Sequence, residues 1–149
     1  MGAGEQYACA QAWTALSAAH ARIAGQLADA LARGCALSVN EFEILLRLHH
    51  APAGQLRLGE LSGAVPLTQP ALSRAVTRLA GRGLVSRAGA PDDGRGVLIM
   101  LEPAGREVLG QATDIHAAVI REALLDRLSA ADQELLAGVL SRVTSEQPR

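Results

Sequence analysis

The chain has 149 residues, of which 49% are apolar but only 2% aromatic, and its formal charge is −1. This length suits one domain with a buried core, and the Ala- and Leu-rich composition predicts a mainly helical protein. No apolar run approaches the roughly 20 residues that span a bilayer, and residues 1–11 lack a signal-peptide pattern. We therefore expect a cytoplasmic protein without a membrane partner.

The charge is distributed unevenly along the chain. All 14 basic residues are arginines. Residues 54–98 contain six arginines against three acidic residues, and residues 66–90 contain four arginines and no acidic residue. Because phosphates respond to local rather than total charge, the middle of the chain is basic enough to bind nucleic acid.

The first predicted elements are two helices. Residues 11–33 form a long amphipathic helix with His20 at one step of its apolar stripe. The stripe otherwise consists of Trp13, Leu16, Ile23, Leu27 and Leu31. Ser38 and Glu41 have the spacing of a capping box, which predicts that a second helix begins there and ends before Pro52.

Shorter elements are predicted in the middle of the chain. An extended piece at 56–58 and a helix at 59–64 precede a helix over 69–82, which Thr68 caps and Gly83 closes. Strands at 84–87 and 97–101 flank a Gly-rich loop, as in a hairpin. A long helix then runs from 102 to about 128, and Ser129 with Asp132 opens a final helix. Two short helices followed by a hairpin are typical of a winged helix-turn-helix.

Two segments of this region resemble the MarR family of bacterial transcription factors. Residues 58–85, LGELSGAVPLTQPALSRAVTRLAGRGLV, are similar to the helix-turn-helix of that family and its exit into the wing. Residues 91–106, PDDGRGVLIMLEPAGR, are similar to its wing and the start of its fifth helix. Asp93 and Arg95 are the most specific match. Gly94-Arg95 departs from the two consecutive basic residues that the family often has there, and the outer helices match only in length and pattern.

The resemblance implies a mainly α fold: a winged helix-turn-helix with N- and C-terminal dimerisation helices and a small β-hairpin wing. Residues 1–149 would form a single domain, with dimerisation helices at 1–37 and 102–149 and a DNA-binding lobe at 38–101. The implied function is that of a sequence-specific regulator, a ligand-responsive repressor that binds a pseudo-palindromic operator in double-stranded DNA as a homodimer. No enzymatic activity and no cofactor are expected.

The predicted helix over 69–82 has one apolar face and one polar face without acidic residues, which suits the major groove. We expect Arg74 to read guanine with support from Gln69 or Ser73, and Arg87 to contact phosphate. In the wing, Asp93 would aim Arg95 into the minor groove. The expected DNA contacts are Thr68, Gln69, Ser73, Arg74, Thr77, Arg78, Arg87, Asp93 and Arg95. The alternatives are a solvated polar face and an ordinary Asp-rich turn.

The apolar stripes at both chain ends predict a homodimer, and the alternative is a monomer whose terminal helices pack on each other. In the resembling family, small ligands lodge between the dimerisation helices and the DNA-binding lobe. For such a cleft the polar or aromatic candidates are Trp13, His20, Arg47, His49 and His50, of which the first four are the predicted ligand residues. Their apolar and basic character favours a small aromatic or phenolic effector.

The sequence leaves two alternatives to this function and argues against a third. Cys9 and Cys35 are too few for a disulfide framework but leave open a redox-responsive regulator of the same type. A winged helix that binds protein and not DNA is a second alternative. An enzyme lacks support, because the sequence contains no phosphate-binding loop and no nucleophile elbow. The four histidines lack the paired spacing of a metal site, so no metal is expected.

Overall fold

The computed structural model describes residues 2–89 and 96–145. The helices in this part of the chain are α1 (Ala3–Cys35), α2 (Val39–His50), α3 (Leu58–Ala64), α4 (Gln69–Gly81), α5 (Pro103–Ala123) and α6 (Ala130–Thr144). The strands are β1 (Gln55–Arg57), β2 (Val85–Gly89) and β3 (Val97–Leu101). Short 3₁₀ turns follow α2 at Pro52–Gly54 and α5 at Leu125–Arg127. The predicted mainly helical fold with a small hairpin is confirmed.

Local signals in the sequence begin and end the helices around the hairpin. The Ser38 hydroxyl accepts from the Glu41 N–H at 3.1 Å, and Glu41 Oε2 accepts from the Ser38 N–H at 2.9 Å, which completes the predicted capping box. At the end of α4, Gly83 adopts a φ of +70°, a conformation that favours glycine. Its N–H and that of Leu84 satisfy the carbonyls of Ala80 and Leu79 at 2.9 and 3.0 Å.

Two predicted helix boundaries were wrong. α1 begins at Ala3, eight residues before the predicted Gln11, because the intervening segment is rich in alanine and contains no proline. α5 ends at Ala123 and not near Leu128. Leu124 leaves the helical conformation (φ −124°, ψ −63°), and the Gln133 side chain donates to the carbonyls of Leu125 and Leu128, at 3.2 Å in each case. These bonds stabilise a turn at the place where apolar periodicity alone predicts a continuing helix.

The three strands form one antiparallel sheet in the order β1-β3-β2. β2 and β3 form the hairpin, with Val85 opposite Leu101 and Gly89 opposite Val97. β1 pairs with the other edge of β3, so that Leu56 lies opposite Ile99. The strand between α2 and α3 is thereby joined to the hairpin, and the helix-turn-helix formed by α3 and α4 lies between these paired strands in the chain.

The chain divides into two compact units. We call Met1–Leu27 with Ala117–Arg149 the terminal unit, and Ala28–His116 the central unit. The central unit contains the helix-turn-helix and the sheet. Its largest fully buried side chains are Leu31, Leu37, Ile44, Leu45, Leu48, Leu61, Leu72, Val76, Leu79 and Ile99. Among the helices within residues 2–89 and 96–145, none is both long and apolar enough to cross a membrane.

Candidate nucleic-acid interface

The helix α4 has two chemically distinct faces. The buried face consists of Leu72, Ala75, Val76 and Leu79, and it packs on α2 and β2. The opposite face carries Gln69, Ser73, Arg74, Thr77 and Arg78, all exposed except the half-buried Ser73. No acidic residue lies in α4. This division leaves a polar, positively charged surface on a helix that the apolar face anchors in the central unit.

The N-terminal end of α4 is built as predicted. Thr68 has extended backbone angles, and its hydroxyl accepts from the Ala71 N–H at 3.4 Å. Pro70 occupies the first turn, where it costs no helical hydrogen bond. Because Thr68 uses its hydroxyl as a cap, its direct role is to begin the helix and to orient the positive end of the helix dipole.

Arg74 is the arginine of α4 whose side chain bonds to no other residue within 2–89 and 96–145. It is exposed, and among the described residues no hydrogen bond or ion pair engages its guanidinium. It lies beside Ser73 and Thr77 in a shallow groove on the exposed face of α4. An unpaired guanidinium on such a face is available to the bidentate acceptors of a guanine edge.

Arg87 ties the wing strand β2 to α4. Its Nη2 donates to the Ser73 carbonyl and to the Thr77 hydroxyl, at 3.1 Å in each case. The Thr77 hydroxyl in turn donates to the Ser73 carbonyl at 2.8 Å. Two predicted DNA contacts, Arg87 and Thr77, are therefore bonded to each other, and Thr77 offers its methyl group more readily than its hydroxyl.

Arg78 is bonded to a residue that the sequence did not single out for the site. Its Nε donates to Glu41 Oε1 at 2.8 Å, and the Glu41 side chain is nearly buried. The buried position opposes ionisation of Glu41, but bonds from the Ser38 N–H and from Arg78 outweigh it and hold the pKa of the carboxyl below its ordinary value. Arg82, the residue that directly follows α4, donates to the carbonyls of Ala36 and Cys35.

Asp93 and Arg95, the predicted wing residues, lie outside the described residues. The strands β2 and β3, which precede and follow these residues in the chain, are paired up to Gly89 and Val97.

The predicted ligand residues fall in both units: Trp13 and His20 belong to the terminal unit, and Arg47 and His49 belong to the central unit. Trp13 and His20 line a groove of about 320 Å³ on α1 together with Leu16 and Ser17. His49 lines a different groove, of about 420 Å³, between α2 and α5. Arg47 lines neither groove and pairs with Glu43 at 3.6 Å.

The α2–α5 groove contains residues that sequence reasoning missed. Its wall comprises Leu46, His49, His50, Arg106, Leu109, Gly110, Thr113 and Asp114. The two helices that form it are separated by more than 50 residues, so no local pattern indicates that Arg106 faces the histidines. Glu41 was recognised only as a helix cap, and no sequence signal links it to Arg78.

The two cysteines belong to the same helix, α1. Cys9 is exposed, and the half-buried Cys35 thiol donates to the Leu31 carbonyl at 3.3 Å. Because 26 residues of α1 separate them, a disulfide between them within one chain requires that the helix break. Within the part of the chain that the structure describes, no three histidine, cysteine or acidic residues come together as metal ligands.

Comparison with known families and structures points to one family. The model of the MarR family matches residues 37–97, from the start of α2 into β3. The HTH-type transcriptional regulator YdgJ of Bacillus subtilis is 30% identical over 107 residues, which are 72% of this chain. The match spans 63% of the length of YdgJ.

Solved structures extend this likeness over the whole chain. A MarR family transcriptional regulator from Streptomyces coelicolor, solved in complex with DNA, is 30% identical with a TM-score of 0.83. The match covers 99% of this chain and 91% of that one. A probable transcriptional regulator from Pseudomonas aeruginosa is 33% identical with a TM-score of 0.73, over 86% of this chain and 92% of that one.

Proposed function

The chain belongs to the MarR family of transcriptional regulators, and from this premise we propose that it represses transcription as a homodimer bound to a pseudo-palindromic operator. The observation that carries the proposal is the exposed face of α4, which has no acidic residue and presents Arg74, whose guanidinium bonds to none of the described residues. The chain is a DNA-binding regulator and not an enzyme. Its place of action would be the cytoplasm, where a bacterial chromosome lies.

In this proposal the residues of α4, and Arg87 of β2, make different kinds of contact with the DNA. Arg74 would bind O6 and N7 of a guanine, and Gln69 and Ser73 would contact the neighbouring base edges. Thr77, whose hydroxyl is already bonded, would place its methyl group against a thymine methyl. Arg87 uses Nη2 within the chain and would offer its remaining donors to a phosphate.

The wing would add a second contact outside the major groove. β2 and β3 hold the two ends of its loop side by side. In our proposal Arg95 enters the minor groove, where an arginine is favoured over a strongly hydrated lysine, and Asp93 orients it.

A homodimer is proposed from the exposed apolar side chains of the terminal unit. Trp13, Leu135 and Val143 are 70%, 65% and 75% exposed in the single chain. A soluble monomer seldom leaves several large apolar side chains of the same unit in water. A second copy would cover them and would hold two α4 helices about one DNA turn, roughly 34–36 Å, apart.

For the effector, the α2–α5 groove is the better of the two candidate sites. Leu46 and Leu109 contribute apolar side chains to its lining, and His49, His50 and Arg106 contribute polar and basic groups. A volume of about 420 Å³ accommodates a small aromatic acid. Such a ligand would release the operator only if it binds the DNA-free conformation more tightly than the DNA-bound one.

The proposal is tested by selection of binding sites from a library of random-sequence duplexes, followed by titration of the enriched duplex at several salt concentrations. We expect an inverted repeat and a steep fall of affinity with salt. A winged helix that binds only protein would enrich no sequence and show no such salt slope. A reporter gene placed behind the enriched sequence distinguishes repression from activation.

A further inference from the structure

The C-terminal half of α4 is bonded to the segment that joins α1 to α2. Arg78 Nε donates to Glu41 Oε1 at 2.8 Å. Arg82 Nη1 donates to the Ala36 carbonyl at 2.6 Å, and its Nη2 donates to the Cys35 carbonyl at 3.0 Å. These residues are 37 to 47 positions apart in the chain, so the bonds join separate elements. We refer to them as the arginine clamp.

The two carbonyls that accept from Arg82 lie where α1 ends and the segment leading to α2 begins. Cys35 is the last residue of α1, and the carbonyls at a helix C-terminus lack partners within the helix. Ala36 has a φ of +53°, a left-handed conformation that is costly for a residue with a side chain. The Arg82 guanidinium supplies donors to both carbonyls and thereby stabilises the strained junction.

Glu41 serves two elements with one carboxylate. Its Oε2 accepts from the Ser38 N–H and caps α2, while its Oε1 accepts from Arg78. The residue is only 6% exposed. A nearly buried carboxylate with two directional partners fixes the position of each partner relative to the other.

Apolar packing alone determines the rotation of α4 about its axis less accurately than these hydrogen bonds do. The buried face of α4 adheres to the core through contacts that have no direction, whereas hydrogen bonds require a defined angle and distance. From β2, Arg87 bonds to Ser73 and Thr77 in the N-terminal and middle part of the exposed face. α4 is thus held by arginine bonds along its length, and Arg74 lies between them with its guanidinium unengaged.

We propose that Arg78 and Arg82 are positioning residues, which set the orientation of α4 through Glu41 and the carbonyls of Cys35 and Ala36 and do not act by contacting DNA. This inference rests on the proposed function, because the orientation matters for reading an operator. It replaces the base-face role that the sequence suggests for Arg78. Arg74, with Gln69 and Ser73, is left as the group that reads the bases.

The sharpest test is the variant Glu41→Gln. Glutamine also serves in a capping box, so α2 keeps its cap. Ser38 and Arg78 donate to different oxygens of Glu41, and glutamine replaces one of those two acceptors by an NH2 donor, which cannot accept from Arg78 while the remaining oxygen caps α2. Loss of a negative charge near a DNA surface should strengthen binding if only charge matters. The clamp predicts the opposite, a fall of about five- to tenfold in affinity for the selected operator.

A matched control is Glu60→Gln. Glu60 Oε2 accepts from the Arg57 N–H at 2.7 Å at the start of α3, so this variant also removes a charge from a helix cap in the central unit. We expect its operator affinity to equal or exceed that of the wild type. Arg82→Lys is a second variant, which keeps the charge but loses the two-pronged donor, and we expect it to bind the operator more weakly.

Two readouts separate positioning from phosphate contact and from loss of fold. Positioning lowers the ratio of operator affinity to scrambled-duplex affinity and leaves the salt slope of Arg78→Ala unchanged. A phosphate contact lowers both affinities equally and reduces the slope by about one. If a variant only lowers the fraction of folded protein, the ratio of operator affinity to scrambled-duplex affinity and the salt slope both stay as in the wild type.

The clamp is overturned if Glu41→Gln binds the operator as tightly as Glu60→Gln, or if Arg78→Ala loses one unit of salt slope. If the wild-type chain enriches no duplex sequence, the proposed function fails together with the clamp. If the wild type binds its operator and the Glu41→Gln substitution does not weaken that binding, the clamp is ruled out and the proposed function stands.

Discussion

The central and terminal units bury their apolar residues to very different extents. Among the described residues, Leu27 and Ala123 are the buried apolar residues of the terminal unit, and the other buried apolar residues belong to the central unit. The helix α6 buries none of its residues. The central unit therefore carries its own core, whereas the terminal unit leaves apolar side chains for another surface to cover. In our proposal, that difference separates the part that reads DNA from the part that pairs two copies.

The largest expected effect distinguishes the two units by stability. Leu45 is fully buried, and Leu45→Ala should lower the free energy of unfolding by about 2–5 kcal/mol at every protein concentration. Leu135 is mostly exposed, so Leu135→Ala should cost much less when the protein is dilute and more when it is concentrated. Urea denaturation at two protein concentrations measures both variants. Equal and concentration-independent losses would contradict the comparison.

A charge on the exposed face of α6 should break the proposed dimer. In Leu135→Asp a carboxylate would be buried by the second copy, so sedimentation should give the mass of one chain. Operator affinity should then fall by about a hundredfold or more, because the two half-sites no longer bind together. Ser141→Asp is the control, since Ser141 is an exposed polar position on another side of α6. A monomeric Leu135→Asp chain with unchanged operator affinity would refute the dimer's role.

Within the central unit, Arg74→Ala should weaken operator binding by about 1–3 kcal/mol per half-site and relax the preference at one base position. The reason is that its guanidinium is the unengaged one on the exposed face of α4. Arg142→Ala, an exposed arginine of α6, should leave both quantities unchanged. Repeating the random-duplex selection with each variant measures the preference. An Arg74→Ala chain that selects the wild-type sequence would exclude base reading by this residue.

Titration of a phenolic acid into a complex of the protein with fluorescent operator DNA tests which of the two grooves, on α1 or between α2 and α5, binds the effector. The measured quantity is the acid concentration that releases the operator. If the effector binds between α2 and α5, His49→Ala should raise the concentration needed for release several-fold, while Trp13→Ala on the other groove should change it little. DNA affinity without the acid should stay the same in both. The reverse ranking would move the site to α1. Release by an oxidant, abolished by Cys9→Ser or Cys35→Ser, would favour the redox alternative.

The smallest expected effect concerns the pH dependence of stability. The folded pKa of Glu41 lies below its ordinary value, so its contribution to stability is complete above the ordinary pKa and disappears as the pH falls through the folded pKa. The difference in unfolding free energy between wild type and Glu41→Gln should therefore shrink from about pH 7 to about pH 3. Arg78→Ala should reduce this pH dependence by removing one of its causes. A difference that stays constant with pH would show that Glu41 is not stabilised as an anion.

Some parts of the site follow from the sequence because their causes are local. Ser38 and Glu41, or Thr68 and Ala71, are three residues apart, and the bonds between them form wherever a helix begins there. The buried face of α4 likewise follows from the helical period. The family resemblance in residues 58–106 then identifies the hairpin as a wing, although its Asp93 and Arg95 stay predictions.

The partners of the arginines were decided by the tertiary structure. The sequence predicts that Arg74, Arg78 and Arg87 contact DNA, and it contains no signal that Arg78, Arg82 or Arg87 bonds to another element of the chain. Packing of α4 against α2 and β2 brings Arg78 to Glu41, Arg82 to the end of α1 and Arg87 to Thr77, and it leaves Arg74 unengaged. The groove between α2 and α5 arises in the same way from distant segments. Composition and periodicity describe what each helix is, but which charged groups meet depends on contacts between residues far apart in the chain.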